Sequence, residues 1–260
     1  MLRFWLIALM TLMISSSSCL ADAAPSSAQH AKPSKKTAQR ALPAHEHRTE
    51  CETTAAEPVQ IICILDRSGS MQNLAEDTIG GYNAFLEKQR KEPGEAEVTT
   101  VLFDDKYEKI TDAVALKDAP ELTSKEYYAR GTTALLDAVG RTVTGALGQM
   151  EQKGVCPAKR RVIVLIMTDG LENASTEYDK ASVKALIEGT TNDYHWNYIF
   201  MGANMDSVAE ASSIGIQPRH AANYSANRSG IEGSFALMDA AAREVREKGS
   251  VSEDWKDGQT

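Results

Sequence analysis

VQIICILDRSGS, residues 59–70, joins a continuous apolar run to a loop rich in side-chain oxygens. The apolar run at 59–65 predicts a central parallel strand that is covered on both faces. In the loop that follows, Asp66, Ser68 and Ser70 alternate, so an extended backbone can point all three side chains the same way. One carboxylate and two hydroxyls are then available to a single hard cation.

Two later segments offer oxygen donors at comparable places. Residues 131–133 (Gly-Thr-Thr) open an apolar helical pattern, and residues 168–170 (Thr-Asp-Gly) close a second buried strand. Ligands of open α/β sheets bind beyond the carboxyl ends of the strands, so the three segments are expected to meet in one cleft. Oxygen ligands with few carboxylates suit Mg²⁺. The candidate ligands are Asp66, Ser68, Ser70, Thr133 and Asp169.

Together these segments resemble the metal-ion-dependent adhesion site of von Willebrand factor A domains. In that family Asp-x-Ser-x-Ser is followed by a distant Thr and then a distant Asp. Residues 66–70 match the first part without a gap, and Asp169 matches the last. Thr133 takes the distant Thr position because it precedes Asp137 by the family's usual spacing of four, with Thr132 as the alternative. Single-domain bacterial members carry runs similar to residues 67–71 (Arg-Ser-Gly-Ser-Met), 134–138 (Ala-Leu-Leu-Asp-Ala) and 169–173 (Asp-Gly-Leu-Glu-Asn).

The resemblance covers residues 58–248, where strand and helix patterns alternate. This alternation predicts a doubly wound α/β fold, with a mostly parallel central sheet and helices on both faces. Strands are predicted at 59–65, 98–103, 107–110, 161–167, 198–201 and 219–222. Helices are predicted at 72–90, 134–150, 176–188, 207–211 and 231–248.

The resemblance implies that the five candidate ligands bind a divalent cation, with Asp169 often acting through water. Mg²⁺ is the expected ion, and Mn²⁺ or Ca²⁺ are alternatives. Two carboxylates roughly neutralise the ion, which leaves it able to accept an Asp or Glu from a protein partner. The expected function is metal-dependent protein–protein adhesion without catalysis.

Two other function classes compete with adhesion. A Mg²⁺-dependent phosphohydrolase of the dehalogenase type needs Asp where Ser68 stands, and neither a Walker A loop nor a Gly-x-Ser-x-Gly elbow occurs. Arg67 is expected to cover the loop from outside rather than to contact a phosphate. Asp104 and Asp105 follow the second strand as a hairpin turn, or as a second cation site. The third class is a scaffold that binds no metal.

The first 23 residues have the features of a secretory signal. Arg3 precedes an apolar segment at 4–14, and Ala21-Asp22-Ala23 is an A-x-A cleavage site. The protein is therefore expected to be exported to the periplasm or secreted, with a lipoprotein anchored at Cys19 as the alternative. Residues 24–57 contain almost no large apolar side chains and are expected to form a disordered tether. Residues 249–260 are expected to form a tail.

Charge and cysteine content bound the remaining possibilities. The formal net charge of −8 argues against a nucleic-acid partner, which usually meets a basic face. After the signal, no segment is apolar enough to cross a bilayer.

Cys63 lies within the first predicted strand and is expected to be a buried thiol. Cys51 and Cys156 either pair in an oxidising compartment or remain as two thiols.

Overall fold

The computed structural model describes residues 57–256, in which six strands form a single sheet. The strands are β1 (Val59–Asp66), β2 (Ala96–Phe103), β3 (Tyr107–Ala115), β4 (Val162–Thr168), β5 (Asn197–Gly202) and β6 (Ala221–Asn223). The α-helices are α1 (Ala75–Lys91), α2 (Leu135–Lys153), α3 (Lys180–Tyr194), α4 (Ser207–Ser213) and α5 (Arg228–Lys248). Short 3₁₀ turns occupy Gly69–Leu74, Leu116–Asp118 and Pro218–His220.

The sheet is doubly wound, with the strand order β3-β2-β1-β4-β5-β6. Neighbouring strands are parallel except for β3, which pairs antiparallel with β2 at one edge. The chain moves outward from β1 in one direction and from β4 in the other, so the order reverses between these two strands. Ligands of such sheets bind at this switch point. The predicted fold class is confirmed, and the carboxyl ends of β1 and β4 are placed side by side.

Alternate residues of the central strands pack into two separate cores. Ile61 and Leu65 of β1 face the layer formed by α1 and α5. Ile62 and Ile64 face the opposite layer, formed by α2, α3 and α4. All eight residues of β1 are buried, because both faces of the sheet are covered. Burial of each large aliphatic side chain contributes roughly 1.5–3 kcal/mol, so these layers hold the site's framework in place.

The third helix begins at Lys180, whereas its sequence pattern predicts a start at residue 176. The backbone N–H groups of residues 176–178 instead donate to the carboxylate of Asp137 on α2, at 2.8–2.9 Å. Asp179 then caps α3 by accepting the N–H of Ser182 at 2.8 Å. A carboxylate distant in sequence therefore holds the preceding turn in a non-helical path, and the predicted start is wrong.

The segment after α5 packs back onto the domain. Trp255 is buried, and its indole N–H donates to the carbonyl of Arg219 at 2.9 Å. None of the helices between residues 57 and 256 combines the length and apolarity needed to span a bilayer. The predicted signal peptide at 1–23, most of the tether and Cys51 lie outside the described residues.

The cysteines of the described region have different states. Cys63 is a free, buried thiol, as predicted, and its burial raises its pKa to about 12. Cys156 is disulfide-bonded. Its pairing with Cys51 stays a prediction, because Cys51 is outside the described part of the chain.

Candidate metal centre

Asp66 ends β1, and its carboxylate is buried. Oδ1 accepts the backbone N–H of Ser68 at 2.6 Å, and Oδ2 accepts the hydroxyl of Thr168 at 2.6 Å. Burial raises the pKa of Asp66 to about 6, although both hydrogen bonds favour the charged form and lower it. The charge of Asp169 raises this pKa further. An ionised Asp66 is therefore held in an environment that disfavours its charge.

Ser68, Ser70 and Asp169 form a chain of oxygens beside Asp66. The Oγ atoms of Ser68 and Ser70 are 3.1 Å apart, and Ser70 Oγ donates to Asp169 Oδ1 at 2.5 Å. Asp169 follows the last residue of β4, and burial raises the pKa of its carboxyl. Ser70 is exposed, so this group of oxygens opens to solvent at the carboxyl edge of the sheet.

The hydroxyl of Thr133 lies close to the same group of oxygens, because Gly170 packs closely against both Thr133 and Ser70. A Cβ atom at Gly170 would lie 3.1 Å from Thr133 Oγ1 and 3.6 Å from Ser70 Oγ. Any larger residue at position 170 would therefore enter the space between the two hydroxyls. Thr133 is buried, whereas Thr132 is exposed. The structure thus brings all five candidate ligands together, with Thr133 rather than Thr132 turned inward.

Glu172 and Asn173 hold the Thr133 segment in position. Asn173 Oδ1 accepts the N–H of Thr133 at 2.9 Å, and the N–H of Asn173 donates to the carbonyl of Thr133 at 3.0 Å. Glu172 accepts the N–H of Leu136 at 2.9 Å, which satisfies a donor in the first turn of α2. From the sequence, both residues are expected to line the partner-binding face or to cap the next helix, but the cap of α3 is Asp179. Their only sequence signal is their closeness to Asp169.

Arg67 lies within the Asp-x-Ser-x-Ser loop but is fully buried, so the expectation that it covers the loop from outside is wrong. Its guanidinium donates to Asp104 Oδ2 at 2.9 Å, to Glu108 Oε2 at 2.5 Å and to the carbonyl of Glu126 at 2.8 Å. The alternation of residues in the loop turns Arg67 away from the hydroxyls of its neighbours. Its side chain instead joins the loop to β3 and to the segment before α2.

Asp104 forms a turn at the end of β2 and is paired with cations of the protein. Arg67 and Arg130 both donate to its Oδ2, at 2.9 and 2.8 Å, and the N–H of Lys106 donates to Oδ1 at 2.7 Å. Burial opposes the charge of Asp104, but these donors together hold its pKa below the ordinary value. Two guanidinium groups therefore occupy the place that a second cation at Asp104 would need.

The five oxygen donors fit a small hard cation. Within residues 57–256 no Lys, Arg or His forms an ion pair with Asp66 or Asp169. The same part of the chain contains no group of three or more His, Cys, Asp or Glu side chains that could hold a metal ion, so the candidate site depends on hydroxyl oxygens beside its two carboxylates. Two carboxylates with three hydroxyls are the chemistry that Mg²⁺ prefers, and burial leaves both carboxylates in need of a positive charge.

Comparison with solved structures finds the same fold at low sequence identity. Proximal thread matrix protein 1 from the mussel byssus, solved with a zinc-occupied MIDAS (metal-ion-dependent adhesion site) motif, is 14% identical with a TM-score of 0.51, covering 72% of this chain and 48% of that one. A von Willebrand factor type A protein from Catenulispora acidiphila is 13% identical with a TM-score of 0.51, covering 72% and 43%. The vWF domain of the type V pili tip protein Mfa5 from Porphyromonas gingivalis is 12% identical with a TM-score of 0.54, covering 77% and 100%.

These identities carry the likeness of fold alone. The chain spans about half the length of the first solved structures that it matches. A search of curated proteins finds no significant match. The sequence model described as "VWA domain containing CoxE-like protein" matches residues 29–192, which is more than half of the chain. Two features of the structure agree with this match. They are the strand order β3-β2-β1-β4-β5-β6 and the Asp-x-Ser-x-Ser loop at its switch point. The chain therefore belongs to the family of VWA domain containing CoxE-like proteins.

Proposed function

We propose that this chain is the divalent-metal-dependent protein-binding module of an exported protein. Its metal, Mg²⁺, would be bridged to an acidic side chain of a protein partner. The observation that carries the proposal is the convergence of two buried carboxylates and three hydroxyls at a solvent-open edge of the sheet. Neither carboxylate has a cationic side chain as partner within the described residues.

Asp66, Ser68, Ser70, Thr133 and Asp169 would hold the ion. When bound, Mg²⁺ would supply a coordination position for a carboxylate from outside the chain. The three hydroxyls add no charge, so the two Asp side chains balance the ion without excess. Ser70 and the neighbouring exposed backbone leave the site accessible to a partner's loop.

The solved relatives support adhesion by analogy. One was solved with zinc in its MIDAS motif, and another is a pilus tip protein. We infer Mg²⁺ for this chain because its donors are all oxygens, while Mn²⁺ or Ca²⁺ remain alternatives for the same donors.

The phosphohydrolase alternative gains no support from the arrangement of charges. Enzymes that transfer phosphoryl groups place cationic side chains at the phosphate. Arg67 is buried and paired with Asp104 and Glu108, and Arg130 is paired with Asp104 as well. Neither guanidinium is free to approach a ligand at the hydroxyl cluster.

Isothermal calorimetry on the full chain tests the metal site. We expect a Mg²⁺ binding heat for the wild type and none for Asp66→Ala, because the variant loses the loop's single carboxylate. Asp118→Ala is the matched control, since this exposed carboxylate follows β3 at the opposite edge of the sheet. Equal heats for Asp66→Ala and wild type would refute the metal site. A wild type without heat would favour the metal-free scaffold.

A further inference from the structure

Two exposed hydrophobic side chains lie within five residues of a candidate ligand in the sequence. In the described part of the chain, the large hydrophobic residues with substantial exposure are Tyr128 at 44%, Leu171 at 57% and Val208 at 39%. Single exposed hydrophobic residues are common and need no explanation. Tyr128 and Leu171 differ from that background because each belongs to a segment that carries a candidate ligand. Both of these segments are also held by hydrogen bonds to neighbouring parts of the chain.

Leu171 is presented by a loop that is held on both sides. On one side, the N–H of Gly170 donates to the hydroxyl of Thr168 at 3.3 Å. On the other side, Asn173 is bonded to Thr133 through both its side chain and its backbone. Gly170 itself packs against the hydroxyls of the metal centre. Leu171 is therefore one residue from the site and is held there before any partner binds.

Tyr128 is held in place through the buried Arg67. The guanidinium of Arg67 lies 5.5 Å from the centre of the Tyr128 ring and that of Arg130 lies 4.8 Å from it. Arg130 also donates to the Tyr128 hydroxyl at 2.5 Å, and its backbone N–H donates to the carbonyl of Arg67 at 2.9 Å. The carbonyl of Gly131 accepts the N–H of Gly69 at 3.2 Å, which ties this segment to the Asp-x-Ser-x-Ser loop. Tyr128 is thus a rigid aromatic surface beside the ligand loop.

We infer that Tyr128 and Leu171, which we name the rim pair, form a specificity surface for a protein segment whose metal-binding Asp or Glu has apolar neighbours. This inference rests on the proposed function, because the acidic residue is placed by the metal. The carboxylate of the partner complements the charge of the cation. Its neighbouring apolar side chains cover the rim pair and remove that surface from water. Rigid aromatic and aliphatic anchors of this kind bind with little loss of conformational freedom.

The charges around the rim pair favour an apolar neighbour over a basic or an acidic one. The guanidinium groups beside Tyr128 are already neutralised by Asp104 and Glu108, so they do not attract a second acidic group. Glu172 is occupied by the backbone of α2 and by Ala174 and Ser175, so it offers little to a basic group. The metal then selects the partner's single acidic residue, and the rim pair selects the residues on either side of it.

Selection from a random peptide library displayed on phage tests this inference. The full chain is immobilised with MgCl₂, and bound phage are eluted with EDTA. We expect enrichment of peptides in which Asp or Glu stands next to Leu, Ile, Val or Phe. For a synthetic peptide of the enriched sequence, Leu171→Ala and Tyr128→Ala should each weaken binding about tenfold, the effect of removing one buried anchor. Val208→Ala, an exposed aliphatic side chain on α4, is the matched control and should bind as wild type does.

The outcomes separate the inference from the proposed function. If EDTA elutes acidic peptides without apolar neighbours, or if both rim variants bind as wild type does, the rim pair has no role while the metal-dependent function stands. A failure to enrich any peptide, in a protein that binds Mg²⁺ by calorimetry, would also overturn the inference. A protein without a Mg²⁺ binding heat, or peptides that remain bound in EDTA, would instead overturn the proposed function.

Discussion

Replacing Asp66 with Asn should stabilise the metal-free protein while abolishing Mg²⁺ binding. Asn has nearly the same shape as Asp but carries no charge. Its carbonyl oxygen can accept the N–H of Ser68 in place of Oδ1. Its amide can donate to the hydroxyl of Thr168, which is then free to donate to the carbonyl of Gly170 at 3.0 Å. The site therefore accommodates the neutral side chain without leaving a polar group unpaired.

The size of the effect follows from the pKa of Asp66. Burial raises this pKa from 3.8 to about 6, and each unit corresponds to about 1.4 kcal/mol, so the ionised carboxylate destabilises the metal-free fold by about 3 kcal/mol. Because the folded-state pKa is the higher one, folding takes up a proton. The stability contributed by protonated Asp66 is complete below about pH 3.8 and is lost as the pH rises through about 6. The advantage of the variant should thus grow from about 1.5 kcal/mol near pH 5 to about 3 kcal/mol near pH 7.5.

Urea unfolding of both proteins in EDTA at these two pH values measures the difference. Addition of Mg²⁺ to a hundred times its Kd should then raise the stability of the wild type by about 2.7 kcal/mol and leave Asp66→Asn unchanged. Asp118→Asn, at the opposite edge of the sheet, controls for the loss of one negative charge. An Asn variant that is less stable than wild type at neutral pH in EDTA would refute the reasoning. A stability difference that does not change with pH would refute it as well.

Three further predictions concern other parts of the chain. Arg67→Met should lower the free energy of unfolding by about 3 kcal/mol or more, because it leaves the buried Asp104 with one guanidinium instead of two; a loss below about 1 kcal/mol in urea unfolding would contradict this. Thr133→Ala should weaken Mg²⁺ binding about tenfold in calorimetry, with an unchanged urea midpoint in EDTA, and an unaltered Kd would show that this hydroxyl does not contribute. Amino-terminal sequencing of the exported protein should begin at Ala24, whereas a lipid-modified start at Cys19 would establish the lipoprotein alternative.

The central strands and the candidate ligands could be predicted because their signals are local. In a chain with alternating helices, a continuous apolar run such as 59–65 typically forms a strand that is covered on both faces. Asp66 and Ser68 alternate along an extended backbone, and Ser70 follows them in the 3₁₀ turn Gly69–Leu74. Asp169 follows another such run, so the carboxyl ends of two parallel strands bring these segments to one edge. None of these steps needs a long-range contact to be known in advance.

The start of α3 and the orientation of Arg67 could not be predicted in this way. Residues 176–179 have a helical pattern, yet the carboxylate of Asp137 binds three of their N–H groups from another helix. Arg67 is a charged residue in a loop, for which exposure is the ordinary expectation. It is buried because Asp104 after β2 and Glu108 on β3, some forty residues away, accept hydrogen bonds from its guanidinium.

The sequence by itself determined the doubly wound sheet, the two carboxylates at its switch point and the hydroxyls that accompany them, because hydrophobic periodicity and motif spacing are properties of neighbouring residues. Only the tertiary structure decided which threonine turns inward, which groups hold that threonine in place and which hydrophobic side chains remain exposed beside it. These features depend on hydrogen bonds and ion pairs between segments about 40 residues or more apart, such as Asn173 with Thr133 and Arg67 with Glu108. Such pairs form only where the packed sheet has already brought the segments together, so no local pattern encodes them.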